Sequence, residues 1–321
     1  IGKNSLFLHR KFGARVRLGT LFTDCPFEFE KQDYFSPCDR VVNLPQNFLL
    51  PTGEIWTPRS TDKEEWIGQT VTLKWGLTHS SNNISAFLMK RLGPQAMVRQ
   101  MHQMGVSTHI DEVYSICVGS AEVSVFDMVA SYNTFPSQGT YVYPQYVLRI
   151  EDSNGRVISA MSNEKREAIS ESTAYTMVQM MSNVVREGTG SRLRAVYNLR
   201  QEIAGKTGTT NDNSDGWFIG YTPQITAGVW VGGEDRQVHF NSLALGGGSN
   251  MALPIWGIWM NKCLADPSTH LTRDAVFPVP STGGPDMNCD DSKGRMLGGY
   301  AEDLEGRDNG PRDIEKDYYF N

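Results

Sequence analysis

The stretch that decides the fold is residues 203–231, IAGKTGTTNDNSDGWFIGYTPQITAGVWV. Its first eight residues predict a strand, and the polar run 211–215 predicts a turn into the apolar strand 216–221. A Thr-Pro pair marks a second turn, after which a further strand continues through Val231. The pattern therefore predicts an antiparallel hairpin beside a strand that carries the sequence Gly-Lys-Thr-Gly.

The functional groups of this strand lie between Lys206 and Thr209. The Lys206 ammonium is suited to bind a carboxylate, and the hydroxyls of Thr207 and Thr209 can donate hydrogen bonds to the same anion. Gly208 leaves the strand without a Cβ, so that an extended peptide can lie along its edge. The same residues also fit an ordinary strand that ends in a glycine turn with an exposed lysine. The pattern favours the anion-binding strand.

A second polar run, residues 80–83 (SSNN), precedes an apolar-periodic segment that begins at Ile84. The spacing predicts a helix with these residues at its N-terminus, where Ser and Asn are common caps. A polar loop that enters a helix can also hold a Ser hydroxyl for proton transfer and an Asn side chain that binds a substrate amide. The doubled serine and doubled asparagine leave the register of such a Ser-x-Asn pair ambiguous by one residue.

Alternating helices and strands, without internal repeats, follow along the chain. A helix is predicted from Pro94 to Met104, closed by Gly105. Apolar spacing predicts further helices within residues 122–135 and 172–187. An Asp-Ser-Asn-Gly turn at 152–155 predicts a hairpin.

Length and composition indicate a globular domain with a large core, since the 321 residues are 39% hydrophobic and 10% aromatic. The net charge of -6 argues against nucleic acid as a partner, because nucleic-acid-binding domains present a basic face. No apolar run approaches the roughly 20 residues of a transmembrane helix. The five cysteines and six histidines show no metal-ligand spacing and no disulfide framework, and a single bridge is not readable from them.

The Lys-Thr-Gly strand and the Ser-x-Asn run resemble two of the three motifs of penicillin-binding proteins. The sequence around these motifs is most similar to the transpeptidase domain of class A, bifunctional members from the Bacteroidetes group. Within this resemblance we match Ser81 and Asn83 to Ser-x-Asn, because the family places an alanine three residues after the asparagine, where Ala86 stands. The resemblance implies an α/β (α+β) fold of the penicillin-binding-protein transpeptidase and serine beta-lactamase type, an antiparallel sheet flanked by helices.

The first family motif, Ser-x-x-Lys, supplies the nucleophile and its activating amine. Two stretches match this sequence pattern, Ser60 with Lys63 and Ser162 with Lys165. Neither stretch opens an apolar helix that could bury the lysine beside the serine, so we reject both as the nucleophile motif.

The family places a Gly-Ser-Thr-x-Lys segment about sixteen residues before a Phe-Ser-Pro-Cys-Asp segment, which is residues 35–39 here. Counting back puts Thr20 where the nucleophilic serine belongs and Thr23 where the lysine belongs. A threonine hydroxyl is hindered, and a threonine side chain has no amine to accept its proton. The nucleophile is therefore not recognisable in this chain.

Three parts of the chain are predicted. Residues 1–34 are an atypical N-terminal segment that does not resemble the family, and residues 35–265 are the transpeptidase-like domain. Residues 266–321 are an acidic C-terminal tail that we expect to be mobile, with ten acidic against five basic residues from Asp286 onward.

The resemblance implies that Ser81 and Lys206 take part in catalysis and that Asn83 and residues 207–209 bind substrate. Family members acylate a serine with the stem peptide of peptidoglycan and pass the acyl group to an amine, without metal or cofactor; beta-lactams trap the same serine. An upstream glycosyltransferase domain and membrane anchor would place the domain on the periplasmic face of the cytoplasmic membrane. The alternative is a non-catalytic module that holds stem peptides or partner proteins without turnover.

Overall fold

The computed structural model describes residues 35–290 and 293–298, and residues 37–298 form one compact unit. The predicted N-terminal segment and the end of the predicted tail lie outside the described residues. The strands are β1 (Arg40–Val42), β2 (Phe48–Leu49), β3 (Ile55–Trp56), β4 (Thr70–Thr72), β5 (Thr140–Val142), β6 (Arg149–Glu151), β7 (Val157–Ala160), β8 (Lys165–Glu167), β9 (Ala204–Thr209), β10 (Asp215–Tyr221) and β11 (Thr226–Gly232). The helices are α1 (Leu73–His79), α2 (Asn82–Leu92), α3 (Pro94–Gln103), α4 (Val125–Tyr132), α5 (Glu171–Arg186), α6 (Arg192–Ala195), α7 (Leu243–Gly246) and α8 (Ala252–Ala265).

A three-stranded antiparallel sheet in the order β11-β10-β9 forms the centre of the domain. The predicted hairpin is the pair β10–β11, closed by a tight turn in which the Thr222 N–H donates to the Ile225 carbonyl oxygen at 2.9 Å. The predicted motif strand is β9, which pairs with β10 so that Lys206 lies opposite Ile219.

The side chains of each strand alternate between the two faces of this sheet. Helices cover both faces. On one face, Ala204 and Tyr221 pack against α5. On the other face, Phe218 and α8 residue Trp256 are fully buried against each other, with ring centroids 5.4 Å apart. An antiparallel sheet flanked by helices is the fold class that the sequence predicts, and it is confirmed.

A mainly helical layer beside the sheet contains α1 to α3, with Ala86 and Met89 in its core. Helix α1 ends against α5, where Asn183 Nδ2 donates to Thr78 Oγ1 at 2.9 Å. Gly188, just after α5, approaches Thr78 so closely that a Cβ would overlap the Thr78 carbonyl oxygen. Since α5 also packs against β9, these contacts hold the end of α1 next to the motif strand.

The other predicted elements are largely confirmed. The helices expected within 94–104, 122–135 and 172–187 are α3, α4 and α5. Serines cap the last two, since Ser124 and Ser170 each accept a backbone N–H of the first turn. The hairpin expected around the Asp-Ser-Asn-Gly turn is the pair β6–β7.

The segment that follows α8 differs from the expected mobile tail. Phe277 is only 4% exposed and packs edge-on against Tyr221, with ring centroids 5.8 Å apart. Its backbone N–H donates to Glu202 Oε2 at 2.6 Å. A single aromatic anchor with a charge-assisted hydrogen bond thus fixes a stretch that has little apolar periodicity.

The end of the described segment is tied to β1. Cys289 forms a disulfide with Cys38, across a sequence separation of 251 residues. Arg295 donates to the buried Asp39 carboxylate from its backbone N–H at 2.9 Å and from Nη2 at 3.0 Å. The Leu297 N–H donates to the β1 carbonyl of Arg40 at 2.9 Å, so that this segment adds a short bridge to the β1–β4 pair.

In the part of the chain that the structure describes, no helix is long and apolar enough to cross a membrane. The same residues contain no group of three or more His, Cys, Asp or Glu side chains placed to hold a metal ion.

Candidate active site

Lys206 lies at the centre of the site, on the strand β9. Its ammonium donates to Ser80 Oγ at 2.7 Å and to the Thr207 carbonyl oxygen at 2.9 Å. No salt bridge to Lys206 is found among residues 35–290 and 293–298. Burial without a carboxylate lowers the pKa of Lys206 from 10.5 to about 8. The site therefore holds a cation whose hydrogen-bond partners are neutral oxygens, and it is suited to an anionic ligand.

Ser80 occupies the break between α1 and α2. Its backbone is left-handed, with φ 59° and ψ 42°, a conformation that is uncommon outside glycine and often marks functional sites. The break is stabilised from the preceding helix, because the Ser81 N–H donates to the Gly76 carbonyl oxygen at 2.9 Å. The turn directs the Ser80 hydroxyl to the Lys206 ammonium.

Ser81 and Asn83, the residues matched to Ser-x-Asn from the sequence, point into the protein instead. Both are 1% exposed. Ser81 Oγ caps α2 by accepting the Ile84 N–H at 3.4 Å, and it donates to Asp62 Oδ2 at 2.6 Å. Asn83 Nδ2 donates to Asn43 Oδ1 at 2.9 Å and lies 3.4 Å from the same Asp62 oxygen. Their hydrogen-bonding groups are engaged in holding the start of α2.

Asn82 is half-buried, and its Nδ2 donates to the carbonyl oxygen of Arg59 at 2.8 Å. The two members of the run that are not buried are thus Ser80 and Asn82. From the sequence we matched Ser81 and Asn83 to Ser-x-Asn; the half-buried pair, of which Ser80 contacts Lys206, is Ser80 and Asn82. The predicted helix cap could have distinguished the two serines in the sequence, because the serine whose hydroxyl caps α2 is not available to a substrate.

The two threonine hydroxyls of β9 each retain hydrogen-bonding capacity. Thr207 Oγ1 lies 2.7 Å from Thr189 Oγ1, so that one of these hydroxyls donates to the other and one proton remains. Thr209 Oγ1 accepts the Gly248 N–H at 2.9 Å and keeps its own proton for another acceptor. The sequence did not single out Thr189 as part of the site, although the turn that contains it is glycine-rich.

The edge of β9 that faces away from β10 has no partner strand among the described residues. Gly208 lies on this strand opposite Trp217, where a Cβ would come 3.0 Å from the tryptophan Cβ. An extended peptide can therefore pair with the β9 main chain beside Lys206.

The two Ser-x-x-Lys stretches do not form a nucleophile pair. Lys63 is 65% exposed and lies over the Trp66 ring, and Ser60 Oγ accepts the N–H of Asp62. The second stretch leads into the exposed strand β8. Thr20 and Thr23 lie outside the described residues.

A serine between two helices that faces a buried lysine on a Lys-Thr-Gly strand, with helices on both sides of an antiparallel sheet, defines the class of penicillin-recognising serine acyl transferases. Comparisons with known proteins agree with this class. Residues 44–234 match the model of the penicillin binding protein transpeptidase domain. Because this match covers more than half of the chain, the chain belongs to the penicillin-binding protein transpeptidase family.

Class A proteins are among the similar sequences. The chain is 33% identical over 204 residues to penicillin-binding protein 1A of Aquifex aeolicus, covering 64% of this chain and 27% of that protein. It is 30% identical over 232 residues to penicillin-binding protein 1A of Neisseria meningitidis, covering 70% and 28%. The chain therefore spans less than a third of the length of these relatives.

Solved structures share the fold. Penicillin-binding protein 1A of Haemophilus influenzae superposes with a TM-score of 0.67 at 17% identity, covering 77% of this chain and 41% of that chain. The protein PonA1 of Mycobacterium tuberculosis, in complex with penicillin V, gives a TM-score of 0.62 at 23% identity, covering 78% and 68%. At these identities the likeness supports the fold alone.

Proposed function

We propose that this chain is the transpeptidase domain of a class A peptidoglycan synthase and binds stem peptides that end in D-alanyl-D-alanine. The observation that carries the proposal is the contact of 2.7 Å between Lys206 Nζ and Ser80 Oγ, in which the cation has no carboxylate partner among the described residues. Beta-lactams are a second ligand class, since a relative of this fold was solved with penicillin V.

In this proposal each group of the site has a role in binding. The Lys206 ammonium attracts the terminal carboxylate, and the remaining protons of Thr207 and Thr209 complete its hydrogen bonds. Asn82 binds a backbone amide of the substrate when it releases the Arg59 carbonyl. Ser80 holds the ammonium in place, and in a synthase with an intact nucleophile it would be placed to pass a proton to the leaving amine, because its hydroxyl lies within hydrogen-bond distance of the ammonium.

Acyl transfer also needs a nucleophilic serine and an amine that takes its proton. The family spacing counted back from residues 35–39 puts Thr20 and Thr23 in those places, so we propose that this polypeptide binds the ligand without forming an acyl-enzyme. A synthase with both groups would cross-link stem peptides on the periplasmic face of the cytoplasmic membrane, held by an anchor and a glycosyltransferase domain that are not part of the matched region.

The binding proposal is tested by titrating the full chain with a synthetic peptide that ends in D-alanyl-D-alanine. We expect Lys206→Ala to weaken binding by roughly 10- to 100-fold, since a hydrogen bond to a charged group contributes about 1.5–3 kcal/mol. The exposed strand residue Lys165 offers a matched control, and Lys165→Ala should bind like the parent. The same peptide with an amidated C-terminus should bind poorly to all three proteins. Equal affinity of Lys206→Ala and parent would contradict the site.

A separate experiment addresses acylation. Fluorescent penicillin should leave no label that survives denaturation, because the nucleophile and its base are replaced by Thr20 and Thr23. A denaturation-stable label that maps to one Ser or Thr by mass spectrometry would show an enzyme instead of a binding module.

A further inference from the structure

The turn between α5 and α6, residues 188–192, connects two parts of the candidate active site. The Thr189 N–H donates to the Thr78 carbonyl oxygen at the end of α1, at 3.4 Å, and Thr189 Oγ1 lies 2.7 Å from Thr207 Oγ1 on β9. The backbone holds the turn in place, because the N–H groups of its two glycines both donate to the Val184 carbonyl oxygen, at 3.0 and 3.1 Å. A side chain on this turn therefore has a fixed position relative to β9.

The contact between the hydroxyls of Thr189 and Thr207 has two possible directions, since a hydroxyl can both donate and accept. A carboxylate in the site decides between them. A hydrogen bond to an anion is stronger than one between neutral groups, so the proton of Thr207 goes to the carboxylate and Thr189 becomes the donor to Thr207. The bond that Thr207 accepts polarises its hydroxyl and strengthens its own donation.

Arg192, at the end of the same turn, reaches Thr209 through the glycine-rich loop that precedes α8. Its Nη1 donates to the Ser249 carbonyl oxygen at 3.1 Å and to Asn250 Oδ1. In this loop the Gly248 N–H donates to Thr209 Oγ1 at 2.9 Å. A Cβ at Gly248 would come 2.1 Å from a carbonyl oxygen of β9, so only a glycine backbone can pack this closely on the strand. Arg192 thereby fixes the loop whose N–H donates to Thr209.

We propose that Thr189 and Arg192 are positioning residues, which direct the protons of the two β9 threonine hydroxyls toward a ligand carboxylate. Thr189 acts directly on Thr207, and Arg192 acts on Thr209 through the loop. Thr207 is half-buried and Thr209 is exposed, so a ligand can reach both hydroxyls. Each hydroxyl then accepts one hydrogen bond from the protein and donates its own proton to the anion. This inference rests on the proposed function, because it concerns the binding of a free C-terminal carboxylate.

Peptide titration of Thr189→Val tests the direct contact. The variant should bind a peptide that ends in a free D-alanyl-D-alanine carboxylate roughly 2- to 10-fold more weakly, which is the range for the loss of one neutral hydrogen bond. Thr189→Ser keeps the hydroxyl and should bind like the parent. The affinity for the C-terminally amidated peptide should be the same in all three proteins, because the hydroxyl acts on the carboxylate. An equal loss for both peptides would indicate a general structural defect and overturn the positioning role of Thr189.

Two substitutions of Arg192 separate positioning from simple attraction by its positive charge. Lysine keeps the charge but lacks the rigid planar guanidinium that donates to the loop. We expect Arg192→Lys and Arg192→Met to weaken binding of the free-acid peptide by a similar factor, roughly 2- to 10-fold. Parent affinity in Arg192→Lys would mean that charge alone is sufficient, and it would overturn the positioning role. The exposed Arg186, in the last turn of α5, offers a matched control, and Arg186→Met should bind like the parent.

Amide hydrogen exchange of the ligand-free chain tests the path from Arg192 to Thr209 without a peptide. Arg192→Met should speed up the exchange of the Gly248 N–H, because the loop is no longer held against Thr209. Arg186→Met and Thr189→Val should leave this exchange unchanged, since neither side chain contacts the loop among the described residues. Unchanged exchange at Gly248 in Arg192→Met would overturn this path.

Lys206→Ala distinguishes a failure of this inference from a failure of the proposed function. When the parent binds the free-acid peptide and Lys206→Ala weakens that binding, the proposed function holds. Parent-like affinity of Thr189→Val and Arg192→Met in that case would overturn the positioning roles alone. A parent chain that does not bind the peptide would contradict the proposed function, and the positioning roles would be overturned with it.

Discussion

Adjacent serines have different tasks at the start of α2. Ser81→Ala should lower the free energy of unfolding by about 0.5–2 kcal/mol, since it removes a helix cap and a partner of Asp62. Ser80→Ala should leave the cap of α2 intact and weaken the binding of a D-alanyl-D-alanine peptide. Urea denaturation and peptide titration of both variants check this separation. If Ser81→Ala loses binding at full stability, the register Ser81-x-Asn83 is correct after all.

The lowered pKa of Lys206 predicts a pH dependence of binding. Below the folded pKa of about 8 the ammonium is charged and attracts the carboxylate; as pH rises through this value the charge is lost and affinity falls. Lys206→Arg should bind more weakly at neutral pH but without this decline, because its guanidinium stays charged. Calorimetric titrations between pH 6 and about pH 9.5 check the difference. A decline of the same size in the arginine variant would assign the effect to another group.

The same shift has a consequence for stability. A lysine whose pKa is lower in the folded state binds its proton less tightly after folding, so its protonation opposes folding. The free energy of unfolding of the parent should therefore rise with pH between about 8 and the ordinary value of 10.5, relative to that of Lys206→Met. Parallel pH profiles of the two proteins would contradict the burial of this ammonium.

At the scale of single residues, the sequence could predict the chemistry of Lys206 but not the geometry around it. Ser80 and Ser81 are identical in side chain, and only the left-handed backbone at Ser80 decides which of them faces the lysine. The sequence did not indicate that Asp62 contacts Ser81 and Asn83, because Asp62 lies in a loop some twenty residues away in the chain.

At the scale of elements, the close packing of α1 and α5 sets the distance between the serine and the lysine. Gly188→Ala should destabilise the domain by about 1–3 kcal/mol, because its Cβ would overlap the backbone of Thr78. Gly190→Ala is the milder comparison, since a Cβ there meets the Val184 carbonyl oxygen at 3.3 Å and needs only a small shift of its neighbours. Thermal unfolding and peptide binding should both change more for the first variant than for the second.

Helices and hairpins of this domain were predictable where local chemistry decides them. The helices α3 to α5 begin at a proline or a serine cap, and the β10–β11 hairpin has a turn sequence between apolar strands. The break between α1 and α2 was less predictable, because it depends on tertiary contacts such as that of Asn183 with Thr78.

At the scale of the whole molecule, the disulfide Cys38–Cys289 joins β1 to the segment after α8. Replacing Cys289 and Cys38 by serine should lower the free energy of unfolding by about 2–5 kcal/mol, since a long loop is no longer closed in the unfolded chain. Guanidinium denaturation without reductant measures the loss. The control Cys263→Ser, which removes a free thiol, should change stability much less.

The segment after α8 shows what composition alone cannot predict. It is rich in acidic residues, proline and glycine, which predicted a mobile tail. Its attachment depends on three sparse contacts instead, namely the burial of Phe277, the disulfide of Cys289 and the pairing of Arg295 with Asp39. None of these three contacts can be read from the periodicity of apolar residues, and each needs a partner residue that lies far away in the chain.

The disulfide also determines how the domain responds to a pulling force. Tension applied to the chain on either side of Cys38 and Cys289 passes through the sulfur bridge, and the chain between them, a sequence separation of 251, is not stretched. A fully extended chain spans roughly 3.5 Å per residue, so the intact bridge prevents the extension of on the order of 90 nm of contour length. In a single-molecule pulling experiment, addition of a reductant should release this length, whereas the oxidised chain should extend only through its outer segments. The central sheet and its lysine site are thereby shielded from any load that the surrounding polypeptide carries.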